Sequence, residues 1–438
     1  MSVGGLAMLE DPNPRRRAAA PAGLPRLLSG TQGAVSLEEH RRALDAPPRG
    51  GRSADEGLLG LVERSGLRGR GGAGFPMATK MRAVASGRGR PMVIVNGAES
   101  EPASSKDRLL LTMRPHLVLD GALVAAAAVG AGRIAVCADT DDVLASLERA
   151  TAMRRAREPT RLPIELVRLP RRYVAGEERS IVHLLNGGPA IPTSAPPRPF
   201  ERGVRGRPTL IQNAETLAHL AQVSAFGVDW FRGLGTDQEP GTRLLTVSGA
   251  VARPGVHEVS SGMPIADLYR SAGGERAGTS GVLVGGYFGS WLTRAQAFDA
   301  RLSDRSLRRF GAGLGAGVLF FLPEGACGLT ETARIATWLA GQSSGQCGPC
   351  VHGLRAIATA LGALARGDGQ DAAAKILRWS ADVEGRGACK LPDGAVRFVR
   401  SALGAFAGDI EVHRRHGRCG APSEQALLPT YVEPSRAG

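Results

Sequence analysis

The chain has 438 residues, of which 43% are hydrophobic, 22% charged and 4% aromatic, and its formal net charge is +14. That length is enough for two or three domains with buried cores. The positive charge alone would favour nucleic-acid binding, but only four of the 55 cationic residues are lysines and the arginines are spread along the chain. With so few aromatic side chains to stack on bases, nucleic acid is not an expected partner.

Neither export nor a membrane span is expected. The longest apolar stretch, around residues 117–131, contains Asp120, and it is shorter than the roughly 18–20 residues of a spanning helix. No apolar signal core precedes the arginine cluster at residues 15–17. Six cysteines in so long a chain do not form a disulfide framework. We therefore expect a cytoplasmic protein, which leaves open docking to a membrane complex.

The first half of the chain alternates apolar runs with helical patterns after an irregular start. Residues 1–36 are rich in Pro, Arg, Gly and Ala and are predicted to be disordered. The alternation that follows predicts an α/β fold with a mainly parallel sheet. Strands are predicted over 92–96, 133–138 and 162–169, and helices from about residue 36 and over 55–65, 107–129, 141–155, 177–185 and 209–226.

The second half changes character twice. After a Pro-, Gly- and Arg-rich loop at 187–208 and the helix that follows it, short strands at 243–250, 255–259 and 281–285 surround a helix at 264–272. This succession predicts a small β-grasp-like domain ending near Phe321. From Cys327 to Phe406 the pattern is helical, with breaks that predict four helices in a bundle. The last thirty residues show little pattern.

A glycine-rich run precedes the first strand. Five of the nine residues from Gly66 to Gly74 are glycines, and Phe75, Pro76 and Lys80 follow. Such a backbone can turn tightly, lie against a flat ligand or present amides to an anion, although an ordinary loop would look the same. Lys80 and Lys106, two of the four lysines, fall in this region and are candidates for a phosphate contact.

Two acidic motifs follow predicted strands. Residues 96–102 read Asn-Gly-Ala-Glu-Ser-Glu-Pro, directly after the first strand, and residues 173–178 read Tyr-Val-Ala-Gly-Glu-Glu. Ligands bind at the carboxyl ends of strands in open α/β sheets. Asn96 and Glu99 can hydrogen-bond a polar heterocycle or a sugar, whereas the second motif is equally compatible with a helix cap.

Three cysteines stand at breaks in the helical pattern. Cys347 and Cys350 form a C-x-x-C between the first two predicted helices of the bundle, and Cys389 precedes the last. Thiolates with this spacing can bind one metal centre, with the third closing over it. A zinc site that adds His352 stays open, whereas a redox dithiol is disfavoured because the pair does not follow a strand.

In this order the segments closely resemble the NADH-binding flavoprotein subunit of respiratory complex I and its relatives in soluble NAD-linked hydrogenases and formate dehydrogenases. The resemblance runs from about Gly66 to Cys389, about three quarters of the 438 residues. The spelling at 96–99 is also similar to the FMN-binding subunit of Rnf-type complexes. The resemblance implies a Rossmann-like α/β FMN-binding domain, a β-grasp (SLBB-like) domain and a four-helix bundle carrying a [4Fe–4S] cluster. The expected boundaries are 1–36 (disordered), 37–240, 241–325, 326–415 and a tail at 416–438.

The same resemblance implies the site residues. No side chain is expected to act as a catalytic acid or base, because hydride transfer occurs on the flavin. Phe75 and Glu101 are expected near the nicotinamide nucleotide. The residues expected around the cofactors are Gly69, Gly71, Gly72, Phe75, Lys80, Asn96, Glu99, Glu101, Tyr173, Gly176, Glu177, Glu178, Gln212, Asn213 and Thr216. The expected metal ligands are Cys347, Cys350 and Cys389, with Ser344 in the position of the fourth.

The chain also departs from the family pattern. Ser344 replaces the first cysteine of the cluster motif, so Cys327, Cys419 or His352 are candidates to replace the missing thiolate. Ala98 replaces an aspartate. Two aromatic positions and one lysine position of the nucleotide site are lost at Ala83, Arg198 and Ala195.

The function implied is electron transfer from NAD(P)H through FMN to an iron–sulfur centre and then to an iron–sulfur partner protein. Two alternatives stay open at this point. The eroded nucleotide wall favours an FMN protein that is reduced by ferredoxin. The loss at Ser344 and Ala98 favours a non-catalytic scaffold.

Overall fold

The computed structural model describes residues 23–30, 33–44, 56–160, 162–274, 278–369, 371–419 and 426–431. Most of the segment predicted to be disordered, residues 1–22 with 31 and 32, lies outside these ranges. The part that is described differs from the prediction. Leu27 is fully buried, and the Glu258 carboxylate accepts hydrogen bonds from the amides of Arg26, Leu27 and Leu28. One apolar anchor and one carboxylate hold this stretch against the second sheet.

The N-terminal region is built on a four-stranded sheet in the order β3-β2-β1-β4, with every neighbouring pair parallel. The predicted parallel α/β domain is confirmed. Its strands are β1 (Met92–Asn96), β2 (Arg133–Ala138), β3 (Ile164–Arg168) and β4 (Thr209–Asn213). Its helices are α1 (Leu37–Ala43), α2 (Glu56–Ser65), α3 (Met77–Ala85), α4 (Lys106–Met113), α5 (Pro115–Val129), α6 (Asp141–Arg157), α7 (Glu178–Leu185), α8 (Ala214–Phe226) and α9 (Val228–Arg232).

Two predictions in this region were wrong. The helix predicted over 209–226 begins with β4, because the open edge of β1 pairs with the buried run Thr209–Asn213. A short apolar run does not distinguish a buried strand from a helix by its periodicity. The helix predicted over 107–129 is two helices, α4 and α5, bent by 96°. Pro115 excludes the α conformation at Arg114, whose φ and ψ are −131° and 44°.

Helix α5 is the centre of the first core. All but one of its residues are buried, and it packs along α8. Gly121 permits this contact, because a Cβ there would lie 2.9 Å from the Leu217 Cα and still closer to the Leu217 carbonyl oxygen. Within the described residues no single helix is long and apolar enough to cross a membrane; only α4 and α5 taken together meet the length and composition required.

The second region is a mixed five-stranded sheet in the order β6-β5-β9-β7-β8. The central strand β9 runs parallel to β5 and antiparallel to β7. The prediction did not place β8 and β9, although it ended the domain near the correct residue. The elements are β5 (Thr242–Gly249), β6 (Gly255–Ser260), α10 (Ile265–Ser271), β7 (Thr279–Val284), β8 (Ser290–Thr293), α11 (Arg294–Asp299), α12 (Asp304–Arg308) and β9 (Val318–Pro323).

The C-terminal region is helical. Its helices are α13 (Gly328–Gly341), α14 (Arg355–Ala365), α15 (Ala372–Val383), α16 (Leu391–Ala405) and α17 (Ala407–His416), with a π-helical segment at Pro349–Leu354. The four predicted helices correspond to α13–α16, and the breaks between them fall where the glycines and prolines predicted them. Helix α17 lies largely in the stretch that showed little pattern. Residues 426–431 return to pack on α13, where Leu428 is buried.

Candidate functional site

The carboxyl ends of β1 and β4 form the centre of the site. The two strands are neighbours in register, so Asn96 and Asn213, their last residues, lie side by side. Strand order changes direction here, because β2 and β3 continue on the other side of β1. Ligands of open α/β sheets bind at such a switch point. The sheet therefore directs two amide side chains of adjacent strands to one edge, with Gln212 buried one residue before the end of β4.

The glycine-rich loop folds back over this edge. It closes on itself where the Gly69 amide donates to the Phe75 carbonyl. Its inner side rests on β4 and α8, because the Arg70 amide donates to the Thr216 hydroxyl at 2.9 Å and a Cβ on Gly71 would lie 3.1 Å from the Asn213 Cβ. Gly72, with φ of +112°, adopts a conformation that favours glycine. Phe75 ends the loop with 48% of its surface exposed.

The two acidic motifs meet next to this loop. The Asn96 side-chain amide donates to the Gly176 carbonyl at 2.8 Å, and a Cβ on Gly176 would lie 3.3 Å from that of Ala98. The Tyr173 hydroxyl donates to the Glu101 carboxylate at 3.1 Å. Contacts between residues about 80 positions apart in sequence thus bring the two motifs into one wall.

The carboxylates of the first motif are buried and held by backbone donors. Glu101 accepts from the Tyr287 amide at 2.7 Å, and Glu99 accepts from the Arg108 amide at 2.8 Å. Burial raises the pKa of each to about 7, against the opposing effect of these donors. Both groups are consequently able to exchange a proton near neutral pH.

Glu177 and Glu178 have different partners. Glu177 caps α7 by accepting from the amides of Arg179 and Ser180. Glu178 forms an ion pair with Lys80, whose ammonium group also donates to the Ile211 carbonyl at 2.8 Å. Lys80 thereby connects α3, β4 and the start of α7.

Lys106 does not serve as a phosphate ligand in this arrangement. It is buried, and its ammonium group lies 2.9 Å from both the Asp107 and the Glu215 carboxylates. Although burial by itself lowers the pKa of Lys106, these carboxylates raise it well above its usual range. The lysine is therefore a buried counter-ion beneath the glycine loop.

The donor set at the sheet edge fits a flavin mononucleotide. The Asp107 Oδ2 atom accepts from the Asn213 amide at 2.7 Å, whereas its Oδ1 atom is buried and has no hydrogen-bond partner within the described ranges. A glycine-lined backbone, amide side chains and an unsatisfied buried acceptor match a flat, polar heterocycle with a phosphate tail. Lys80 is the cation nearest to this edge that retains a partly open position.

Cys347, Cys350 and Cys389 interact with one another at one end of the helical region. Cys350 is buried in the π-helical segment, and Cys347 and Cys389 are partly buried. Burial, followed by repulsion from Cys347 and Cys389, raises the pKa of the Cys350 thiol to about 12. The three sulfur atoms are not all within 4.8 Å of one another. A single tetrahedral zinc ion needs ligand atoms about 3.8 Å apart, so the wider spacing favours a larger centre.

The serines of the cluster loop differ in their contacts. Ser343 hydrogen-bonds the Cys350 thiol, whereas the hydroxyl of Ser344 is 2.9 Å from the Gln346 side-chain oxygen. His352, the ligand of the zinc alternative, is exposed.

Cys327 and Cys419 are too far away to replace the missing thiolate. Cys327 precedes α13, whereas Ser344 follows it, and a helix of this length spans about 21 Å. Cys419 lies beside Cys327. The two cysteines therefore belong to the opposite end of the helical region.

Several contacts of the site come from residues that the sequence did not single out. The Gln342 side chain accepts from the Tyr173 amide, the Tyr287 amide holds Glu101, and the Tyr431 hydroxyl donates to the Ser100 carbonyl at 3.1 Å. Each partner is far away in sequence, and no local pattern marks it.

Comparisons with known proteins agree with this geometry. Residues 62–222 match the Nuo51 FMN-binding domain, 244–281 an SLBB domain, and 330–413 the NADH-ubiquinone oxidoreductase-F iron-sulfur binding region. The chain is 31% identical over 378 residues to the NADH-quinone oxidoreductase F subunit 2 of Rhizobium meliloti strain 1021, covering 83% of this chain and 90% of that protein. It is 31% identical over 406 residues to the corresponding F subunit of Mycobacterium tuberculosis strain H37Rv, covering 89% and 90%.

A solved structure is similar as well. The NAD+-reducing [NiFe]-hydrogenase in its H2-reduced state superposes with a TM-score of 0.76 at 30% identity. The match covers 82% of this chain and 62% of the hydrogenase chain. The identity over nearly the whole length of the two bacterial relatives, together with three matching domains in the same order, shows that this chain belongs to the family of NADH-quinone oxidoreductase F subunits.

Proposed function

We propose that the chain is the flavoprotein subunit of an NADH-oxidising complex, in which electrons pass from NADH through FMN to a [4Fe–4S] cluster and then to an iron–sulfur partner subunit. FMN supplies the chemistry that joins two-electron hydride transfer to single-electron transfer. The alternatives with ferredoxin as donor, or without catalysis, have no contact within the described residues that favours them.

One observation carries the proposal: the flavin edge and the cysteines are neighbours. Burial is the main cause that raises the pKa of the Cys389 thiol, and the nearby charges of Glu177 and Arg179 also act on it. Glu177 belongs to the same loop as Gly176, which accepts from Asn96 at the end of β1. A redox group at the sheet edge and a cluster at these thiols would therefore be separated by one short loop.

The residues of the chain have positioning roles in this proposal. The glycine loop, Gly69 to Gly72, presents backbone rather than side chains to the flavin, and Thr216 holds the loop in place. Asn96 and Asn213 offer amide groups, and Lys80 offers a cation for a flavin or phosphate oxygen. Phe75, half exposed at the rim, and Glu101 are the residues proposed to meet the nicotinamide nucleotide.

The finer architecture belongs to the same proposal. We infer domains at 37–240, 241–325 and 326–415, and the family matches at 62–222, 244–281 and 330–413 support these divisions. A four-helix bundle of α13–α16 is supported by contacts of α13 with α14 and α16, and of α15 with α14 and α16. A cytoplasmic location and the identity of the iron–sulfur partner remain predictions.

The proposal is tested on the full chain purified without oxygen. We expect bound flavin that bleaches when NADH is added, and an EPR signal of a reduced [4Fe–4S] cluster after dithionite. Lys80→Met should lower the flavin content at least about tenfold, which corresponds to about 1.4 kcal/mol of binding free energy.

Arg82→Met is the matched control, because Arg82 lies on the same helix α3 but is exposed and pairs with Glu63. It should leave flavin content unchanged. Flavin that stays oxidised with NADH but bleaches with reduced ferredoxin would contradict the proposed donor. Absence of both flavin and iron from reconstituted protein would contradict the whole function.

A further inference from the structure

A second group of metal-type ligands lies at the other end of the helical region. The Cys327 thiol, the His413 imidazole and the Cys419 thiol have ligand atoms within 4.8 Å of one another. Cys327 and His413 are each 2% exposed, and Cys419 is partly buried. No other group of three His, Cys, Asp or Glu side chains in the described ranges is this close.

The fold builds this group from three separate elements. Cys327 is the N-cap of α13, and its sulfur accepts from the Thr330 amide at 3.3 Å and from the Thr330 hydroxyl at 3.2 Å. His413 lies in the last turn of α17. Gly417, with φ of +74°, ends that helix and reverses the chain so that Cys419 returns to Cys327.

The His413 ring is oriented as a metal ligand requires. Its Nδ1 atom is 2.6 Å from the Ala365 carbonyl oxygen, which can only accept, so Nδ1 carries the proton. In the neutral ring Nε2 then has a free lone pair, and this atom is 3.3 Å from the Cys327 sulfur. A backbone carbonyl on the far nitrogen is the usual outer partner of a metal-bound histidine.

This group is distinct from the cysteines at the flavin side. Helices α13, α14 and α16 all connect the two ends: Ala365 ends α14 beside His413, and Phe406 follows α16 beside Gly328. Helices of 11 to 15 residues are about 16 to 22 Å long. The group is therefore too remote to complete the cluster.

We propose that Cys327, His413 and Cys419 bind one zinc ion, with water in the fourth position on the partly open side of Cys419. Two thiolates and an imidazole are a typical zinc ligand set, and zinc–sulfur and zinc–nitrogen bonds of about 2.3 and 2.0 Å require only a small closing of the present spacing. Both thiols lose their protons on binding. The ion would fasten the chain after α17 to the start of α13, from where residues 426–431 run along that helix.

The test measures zinc, iron and flavin together in the full chain purified without oxygen. We expect about one zinc per chain after incubation with zinc sulfate and removal of loosely bound ions. Cys419→Ala and His413→Ala should lose that zinc but keep their iron and flavin. Zinc should also raise the thermal midpoint of the parent protein and not that of Cys419→Ala, as expected for a ligand that binds the folded state.

Two controls separate this site from the other thiols. Cys137→Ala alters a buried cysteine of β2 and should retain the zinc. The double variant Cys347→Ser with Cys350→Ser should also retain it while losing iron. Cobalt in place of zinc should give a thiolate charge-transfer band that disappears in Cys327→Ala. The proposal is overturned if the parent binds no zinc, if Cys419→Ala and His413→Ala keep it, or if the double variant loses it.

Discussion

At the scale of single residues, the candidate site is governed by burial of charge. Lys106 is compensated by two carboxylates, whereas Glu99 and Glu101 are buried with hydrogen-bond donors but without an adjacent cation of their own. Compensation keeps the lysine charged. Its absence raises the pKa of the two glutamates to about 7. The same sheet edge therefore holds one permanent charge and two groups that titrate near neutrality.

Glu101 should make stability depend on pH. Its ordinary pKa is 4.5, and burial raises the pKa in the folded protein to about 7. Between these values the folded state holds a proton that the unfolded state has lost, so stability should fall as pH rises, by up to about 1.4 kcal/mol per pH unit. In Glu101→Gln this contribution should disappear, and the thermal midpoint of the variant should gain on the parent from about pH 5 to about pH 7.

Glu165→Gln is the control for this measurement, because Glu165 is exposed on β3. It should follow the parent at every pH. A Glu101→Gln protein whose midpoint difference from the parent is the same at both ends of the range would show that Glu101 is ionised throughout.

Ser344→Cys should strengthen the cluster. The parent offers three thiolates at this end of the helical region, and a [4Fe–4S] cluster is held by four. The variant should contain about four irons per chain and lose them more slowly in air than the parent. Iron and sulfide analysis during timed exposure to air measures both effects.

Ser343→Cys is the comparison, because the Ser343 hydroxyl already contacts the Cys350 thiol. We expect no gain in iron from it, since its sulfur would approach Cys350 itself rather than a vacant corner of the cluster. A gain in Ser343→Cys without one in Ser344→Cys would reverse the assignment of the fourth position.

At the scale of elements, close helix contacts hold the α/β domain together. Helix α5 lies between the sheet and α8, and the absence of a side chain at Gly121 allows the two helix backbones to touch. Because β4 and α8 are consecutive, this contact also fixes Asn213 and Thr216 relative to β1. Packing between helices therefore determines the geometry of the sheet edge.

Gly121→Ala should destabilise the domain by about 3 kcal/mol, because the added methyl would overlap the backbone of Leu217 and neither helix can move without opening the core. Thermal unfolding should show a lower midpoint, and flavin affinity should fall with it. Gly404→Ala is the control: Gly404 lies in α16, and a Cβ there would meet nothing within 4 Å. That substitution should be neutral or stabilise by up to about 1 kcal/mol, and equal effects of the two would contradict this account.

At the scale of the whole molecule, the C-terminal residues join the helical region to the flavin domain. Leu428 is buried on α13, the Trp338 indole donates to the Tyr431 carbonyl at 3.0 Å, and the Tyr431 hydroxyl reaches Ser100. Ser100 is next to Glu101. A short terminal segment thus contacts both the helices of the cluster and the acidic loop.

Leu428→Ala should loosen both regions at once. Loss of a buried leucine side chain costs about 3 kcal/mol, and the segment has few other anchors. Hydrogen exchange should increase in residues 426–431 and in the loop around Ser100. Leu427→Ala removes a neighbouring, only partly buried leucine and should have a smaller effect. Faster exchange confined to the terminal segment would show that it does not support the loop.

The sequence by itself determined the features that depend on local pattern. The alternation of strands and helices predicted the parallel sheet, β1 and β2 were predicted with the bounds observed, and the glycine loop, the acidic motifs and the cysteines identified the family. Local backbone preference and motif spacing are written in consecutive residues, so they are visible without a fold.

Only the tertiary structure decided features that depend on distant partners. It turned residues 209–213 into a strand because the edge of β1 was open, and it neutralised Lys106 with carboxylates from two helices. It separated Cys327 from the flavin-side cysteines and joined it to His413, 86 residues away. Pairing energies and the burial of charge arise between residues that the chain brings together only on folding, and no local pattern contains them.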